Sequence, residues 1–129
     1  MTAALHTAEI NKTETGTEAK KYELPQGNFY ESETGIRIEL ETPGVSDKSV
    51  EILMDKEILT VRAERKDMIP EGYRLIHKEY DTFNGFERKF RITKEIDSEK
   101  SNAKVKDGKI ILSLVFREPL KRKIAVEAG

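Results

Sequence analysis

From Pro25 onward the apolar residues of this 129-residue chain recur at every second position in short runs, and each run is cut off by turn residues. A period of two sends alternate side chains to opposite faces of an extended strand, and no helical period survives alongside it. Ile36, Ile38 and Leu40 alternate with Arg37, Glu39 and Glu41, which describes a half-buried strand. Pro43-Gly44 ends it, because Pro has no ladder donor and Gly accepts turn angles. Val50, Ile52 and Met54 then share one face of a second run, with Glu51, Leu53 and Asp55 on the other. After the Asp55-Lys56-Glu57 turn, residues 58–63 set Leu59 and Val61 against Ile58, Thr60 and Arg62. Asn84-Gly85 reads as a tight turn before residues 86–93, where Arg88 interrupts the face shared by Phe86, Phe90 and Ile92. Residues 103–106, a turn at Asp107-Gly108 and residues 110–116 make a hairpin whose second arm is the most apolar run and is expected to be central. With residues 28–32 added, the chain carries seven or eight strands at the spacing of an all-β, two-sheet sandwich.

Two flanks and one long connection stand outside this pattern. Residues 1–24 are rich in Thr, Glu, Ala and Lys, and Leu5, Ile10, Tyr22 and Leu24 are too scattered to form an apolar face, so a flexible N-terminal arm is expected. Pro119 stops the last ladder, which bounds the domain at residues 25–118 and leaves residues 119–129 as an extension. In that extension Ile124 and Val126, two apart, share one side of any extended segment. Residues 64–85 are a charged connection with a weak alternating piece at 73–80. In a compact domain a connection of that length calls for a function.

Composition removes several classes of function. A formal net charge of -1 leaves no excess of cations to neutralise phosphates, so no nucleic-acid partner is expected, and Lys121-Arg122-Lys123 reads as a solubilising flank. The absence of cysteine excludes a disulfide framework, a thiolate nucleophile and a thiolate metal site. His6 and His77 have no companions at ligand spacing and read as solvated. There is no G-x-S-x-G, H-E-x-x-H or phosphate loop, so no catalysis, metal or cofactor is expected. The N-terminus lacks the regions of a signal peptide and no run reaches transmembrane length, which predicts a cytoplasmic protein without a membrane span.

Four stretches resemble one family. TPGVSDKSVEILMDKEILTVRAERK resembles the strand, Pro-Gly-Val turn, strand, acidic turn and strand of small heat-shock proteins (the Hsp20, α-crystallin domain family). NAKVKDGKIILSL is similar to that family's A-x-x-x-n-G-v-L box through Ala103, Asp107, Gly108 and Ile110, with Lys109 replacing a usual apolar residue and Asp107 a commoner Asn. FERKFRI is similar to its arginine-bearing strand, and Ile124-Ala125-Val126 to its C-terminal I-x-I/V motif. The resemblance covers residues 26–126.

It implies an immunoglobulin-like sandwich of the bacterial type, which dimerises by lending a strand from the long connection. That strand corresponds to residues 73–80, pairing with residues 28–32 of a second subunit, so the interface would hold Phe29, Tyr30, Tyr73, Leu75, His77, Glu79 and Arg88. Arg88 is expected to form an ion pair across it, with either Glu79 or Asp81 as partner. The resemblance further implies that Ile124 and Val126 dock between Val50, Ile52 and Met54 on one strand and Ala103 and Val105 on another, a groove that is also the candidate client surface. The implied activity is that of an ATP-independent holdase with no cofactor, whose partners are unfolding client proteins and further copies of itself. Family arms usually carry aromatic and aliphatic residues, whereas this arm has Tyr22 as its only aromatic. A small oligomer, or one mixed with a second small heat-shock protein, is therefore expected. The alternative is an adaptor module of the related CS/p23 sandwich type, which is monomeric and lacks both a lent strand and an I-x-I/V tail.

Overall fold

The computed structural model describes residues 3–7, 21–65, 69–79, 84–119 and 123–129. Among these, β1 (Leu5–Thr7), β2 (Tyr22–Glu23), β3 (Gly27–Glu31), β4 (Gly35–Glu41), β5 (Val50–Asp55), β6 (Ile58–Glu64), β7 (Gly85–Ile92), β8 (Ile96–Lys106) and β9 (Lys109–Phe116) are strands. A single 3-10 turn at Asp47–Ser49 is the one helical piece among the described residues. One sheet runs β1-β7-β6-β5 with β2 also paired to β7, and the other runs β3-β4-β9-β8. The two-sheet all-β sandwich expected from the alternation is what forms.

Alternation decides which side chains meet between the sheets. Ile36, Ile38 and Leu40 of β4, Leu59, Val61 and Ala63 of β6, Phe86, Phe90 and Ile92 of β7, and Ile110, Leu112 and Leu114 of β9 are all buried in one cluster. Phe29 of β3 meets Phe90 edge-on, with ring centroids 5.3 Å apart, and this contact sets β3 over β7. Given the two strand orders, β5 and β8 then lie together at the opposite side. The Asp107-Gly108 turn joins Lys106 to Lys109. Both of its residues have positive φ, 52° and 72°, as a type I′ hairpin requires. The Thr42 N–H donates to the Gly108 carbonyl at 2.8 Å and ties this hairpin to the start of the β4–β5 link.

Three readings of the sequence need correction. The strand at the hairpin starts at Ile96 rather than 103, with an irregular register between Asp97 and Asn102. Asn84-Gly85 closes no hairpin: the Asn84 N–H donates to the Lys21 carbonyl, and Gly85 opens β7. Gly is needed there because a Cβ would come within 2.0 Å of the Ala63 carbonyl oxygen. The described pieces of the N-terminal arm are not loose either. β1 pairs antiparallel with Phe90 to Ile92, and β2 pairs parallel with Gly85 and Phe86. Since β6 occupies the other side of β7 along its length, both arm pieces share the outer edge of β7 and satisfy part of its open ladder.

Candidate functional site

The described residues leave the outer edge of β3, at one side of the sandwich, and the outer edges of β5 and β8, at the other, without a strand partner. Such edges present rows of unmatched backbone donors and acceptors. The chain also carries apolar segments that it does not itself bury, and the arrangement is one of open acceptors and unused donors of extended chain.

Within the long connection, residues 69–79 are exposed throughout and join no ladder. Tyr73 is 75% exposed, Leu75 57% and Ile76 85%. Tyr73, Leu75, His77 and Glu79 fall on alternate positions, and the His77 Nε2 lies 3.1 Å from Glu79 Oε1. Ile69 and Ile76 are also solvent-facing apolar residues that sequence reasoning passed over, because Ile76 falls off the alternation of Tyr73, Leu75 and His77 and Ile69 precedes it. Tyr80 and Asp81 lie outside the described residues.

Beneath β3, Arg88 points toward the core side of β7. Its Nη1 donates to the Pro25 carbonyl at 2.8 Å. Its guanidinium lies 4.7 Å from the Phe29 ring centroid and 5.5 Å from that of Phe90, within cation–π range of both. Nε is buried and has no hydrogen-bond partner among the described residues, and burial holds the group below the usual arginine pKa. Within the single chain Arg88 makes a cation–aromatic stack, and Glu79 lies beside His77. Tyr30, one position from Phe29, is exposed on the outer face of β3.

On the far side, Val50 and Ile52 of β5 and Val105 of β8 are half-buried and pack against the core. Met54 and Ala103 lie at the exposed rim. Leu53, on the opposite face of β5, is 57% exposed. Ile124 and Val126 are 84% and 95% exposed in the single chain.

One constellation had no sequence signal at all. Glu31, the last residue of β3, accepts hydrogen bonds at Oε1 from the N–H of Ala4 (2.8 Å) and of Leu5 (3.1 Å). The Ala4 carbonyl in turn accepts from the Thr93 N–H at 2.9 Å and from Thr93 Oγ1 at 3.3 Å. Ala4 is 1% exposed and sits in the core cluster, and Leu5 packs against it. Ordering four residues costs about 1–2 kcal/mol each. Burial of one methyl and part of a Leu returns only about 2 kcal/mol, so this closure is marginal and depends on its hydrogen bonds. Ala4 is too small, and Glu31 too distant in sequence, for the pattern to announce it.

Among the described residues no group of His, Cys, Asp and Glu is placed to hold a metal ion, and no helix is long and apolar enough to cross a membrane.

Comparison with known proteins fits this geometry. The model of the Hsp20/alpha crystallin family matches residues 28–127. The chain is similar to a probable 15 kDa heat shock protein of Leptospira interrogans, at 28% identity over 124 residues covering 93% of this chain and 94% of that protein. It is similar also to the 18 kDa antigen of Mycobacterium leprae, at 30% identity over 116 residues covering 88% and 76%. Among solved structures, heat shock protein 16.0 from Schizosaccharomyces pombe shares the fold with a TM-score of 0.63 at 22% identity, over 92% of this chain and 82% of that one. A small heat-shock protein from Xylella fastidiosa does so with a TM-score of 0.60 at 23% identity, over 82% and 98%. The matched family spans both sheets and the tail, and the chain belongs to the Hsp20/α-crystallin family of small heat-shock proteins, which are non-enzymatic chaperones.

Proposed function

We propose that this protein is an ATP-independent holdase, built from dimers that exchange residues 73–80 and joined further by the Ile124/Val126 tail. The observation that carries this reading is the mismatch within one chain between open strand edges and exposed apolar extended segments. Residues 73–79 bear Tyr73 and Leu75 in solvent, while β3 offers an unmatched edge with Phe29 beneath it. A strand added there gains ladder hydrogen bonds and covers apolar surface at once. In such a dimer Arg88, stacked under β3 with Nε unmatched, has a carboxylate from the partner's Glu79 or Asp81 as its natural acceptor. Tyr30, Tyr73, Leu75 and His77 complete that interface.

The tail fits the opposite side. Ile124 and Val126 present two knobs on one face of an extended segment, and Val50, Ile52, Met54, Ala103 and Val105 line the β5–β8 side. Each docking is weak, and several within one particle reinforce one another through effective concentration. Dissociation then frees the same apolar groove for unfolding clients, and heating favours it because weakly held elements open first. The domain itself corresponds to residues 25–118, with residues 119–129 as the docking extension and residues 1–24 as an arm. Partners are unfolding proteins, further copies of the chain, and a second small heat-shock protein in mixed particles. The CS/p23 adaptor reading gains no support, since it leaves residues 73–80 and the tail without a task. Location in the cytoplasm accords with the cysteine-free sequence.

Light scattering of a heat-sensitive client, without ATP, tests the function. Suppression that rises with the ratio of chaperone to client is expected; undiminished aggregation at several-fold excess rejects the holdase reading.

A further inference from the structure

Asn84-Gly85 is the one Asn-Gly pair in the sequence; Asn11, Asn28 and Asn102 precede Lys, Phe and Ala. An asparagine followed by glycine is chemically labile, because no side chain shields the glycine amide nitrogen from the neighbouring carboxamide carbon. The fold cannot exchange that glycine, since a Cβ at position 85 would come within 2.0 Å of the Ala63 carbonyl oxygen. It restrains the pair instead. Asn84 is exposed, yet its N–H donates to the Lys21 carbonyl at 2.7 Å and its carbonyl accepts from the Arg65 N–H at 2.8 Å. Its Oδ1 accepts from the Lys21 N–H at 3.1 Å. Gly85 is buried between Glu64 of β6 and Tyr22 of β2. Two of those three bonds, and one of the two strands flanking Gly85, thus come from the short arm piece that starts at Lys21. β2 is only 2 residues long, against 7 in β6, and elements held by so few bonds are the first to open.

We infer that Asn84 is a site of intramolecular deamidation guarded by residues 21–23, and that its isoaspartyl product keeps those residues from returning. The Gly85 amide nitrogen, having lost its proton to hydroxide, attacks Asn84 Cγ. A nitrogen–carbon bond forms and closes a succinimide ring, while the carboxamide nitrogen takes a proton from water and leaves as ammonia. Water then opens the ring at one carbonyl to give aspartate or at the other to give isoaspartate. In the closed state Lys21 holds Oδ1 and the two flanking strands fix Gly85, so the carboxamide cannot turn to meet the nitrogen. Opening of residues 21–23 removes both restraints at once. The products differ in what they permit afterwards. Aspartate keeps a side-chain oxygen for the Lys21 N–H. Isoaspartate routes the main chain through the side-chain carbons, which inserts a methylene between residues 84 and 85. The bonds from position 84 to Lys21 and Arg65 then no longer fit a Gly85 fixed against Glu64, and the loss falls on the shorter strand, β2. Ageing of the chain thereby converts a reversible opening at the base of the arm into a permanent one.

Full-length protein held at mildly alkaline pH, which favours loss of the amide proton, is followed by peptide mass spectrometry, with isoaspartate and aspartate separated by electron-transfer fragmentation. A synthetic peptide copying residues 80–90 reports the unguarded rate. Asn84 is expected to convert ahead of Asn11, Asn28 and Asn102, yet about ten- to a hundredfold more slowly than in the peptide, as opening of two hydrogen bonds requires. Lys21→Pro removes the N–H that holds Oδ1 and is expected to quicken conversion about fivefold. Lys21→Ala keeps that N–H and is expected to convert at the parent rate. Hydrogen exchange of the Tyr22 and Glu23 amides is expected to be fast in the isoaspartyl fraction and parent-like in Asn84→Asp. Conversion of Asn84 no earlier than that of the other asparagines overturns the site. A folded rate equal to that of the peptide overturns the guard, as does equal acceleration by both Lys21 variants or by neither. Unchanged protection of Tyr22 and Glu23 in the isoaspartyl fraction overturns the permanent release. The peptide comparison and the isoaspartyl fraction use the parent sequence, so the test stands even where Lys21→Pro disturbs folding.

Discussion

Replacing both Ile124 and Val126 with Ala isolates the contribution of the tail. In the single chain these side chains are 84% and 95% exposed, so nearly all their apolar area is available for burial on another subunit. Full burial stabilises by about 1.5–3 kcal/mol for each, and fixing the three backbone residues involved costs about 1–2 kcal/mol apiece. The net value of one docking is thus within about 3 kcal/mol of zero, weaker than a millimolar contact, and it holds a particle together only when repeated. The double variant removes most of the favourable part and none of the ordering cost. Native mass measurement across a dilution series is expected to show the parent chain in particles larger than the dimer and the variant collapsed to dimers. Because the two residues are almost wholly exposed in their own chain, the folding stability of the dissociated protein is expected to change by less than about 0.5 kcal/mol. An unchanged particle distribution refutes tail docking, and a large loss of folding stability would show that the tail packs on its own domain.

Thr42 is wholly buried, and its Oγ1 has no hydrogen-bond partner among the described residues; Thr42→Val is expected to raise stability by about 1 kcal/mol in chemical denaturation. Phe90→Ala removes a fully buried ring together with its contact to Phe29, with an expected loss of about 3–5 kcal/mol by the same measurement. Arg88→Met keeps the stem over Phe29 and removes the guanidinium. The dissociated chain is expected to stay within about 1 kcal/mol of the parent, while the dimer, measured by sedimentation, weakens by about 2 kcal/mol or more as the partner's carboxylate loses its cation.

What could be read from sequence follows from how local its cause is. The strands of the core were legible because Ile36, Ile38 and Leu40, or Leu59, Val61 and Ala63, declare their buried face by alternation alone. The first half of β8 was not, since Asp97 to Asn102 contains no alternation. There the Ser101 hydroxyl donates to the Asp97 carbonyl and accepts from the Val115 N–H, standing in for a backbone pair. Arg88 was legible as an interruption of an apolar face, yet its seat over Phe29 depends on β3 stacking on β7, a long-range fact. Asn84-Gly85 misled for a related reason: its glycine serves a close approach to Ala63 rather than a turn. The grip of Glu31 on Ala4 and Leu5 was invisible, since it joins backbone groups to a carboxylate 26 and 27 positions away. The tail and residues 73–79 were legible only as apolar residues without a local use.

Hydrogen exchange on the assembled protein tests the incomplete protomer most directly. Residues 73–79 make no ladder in the single chain, so any protection of their amides has to come from a second copy. Slow exchange of residues 73–79 together with the outward-facing amides of Gly27–Glu31 is expected at concentrations where the dimer dominates, with both regions losing protection in step on dilution. Fast exchange of residues 73–79 in a population that is dimeric by mass would contradict strand exchange as the basis of assembly.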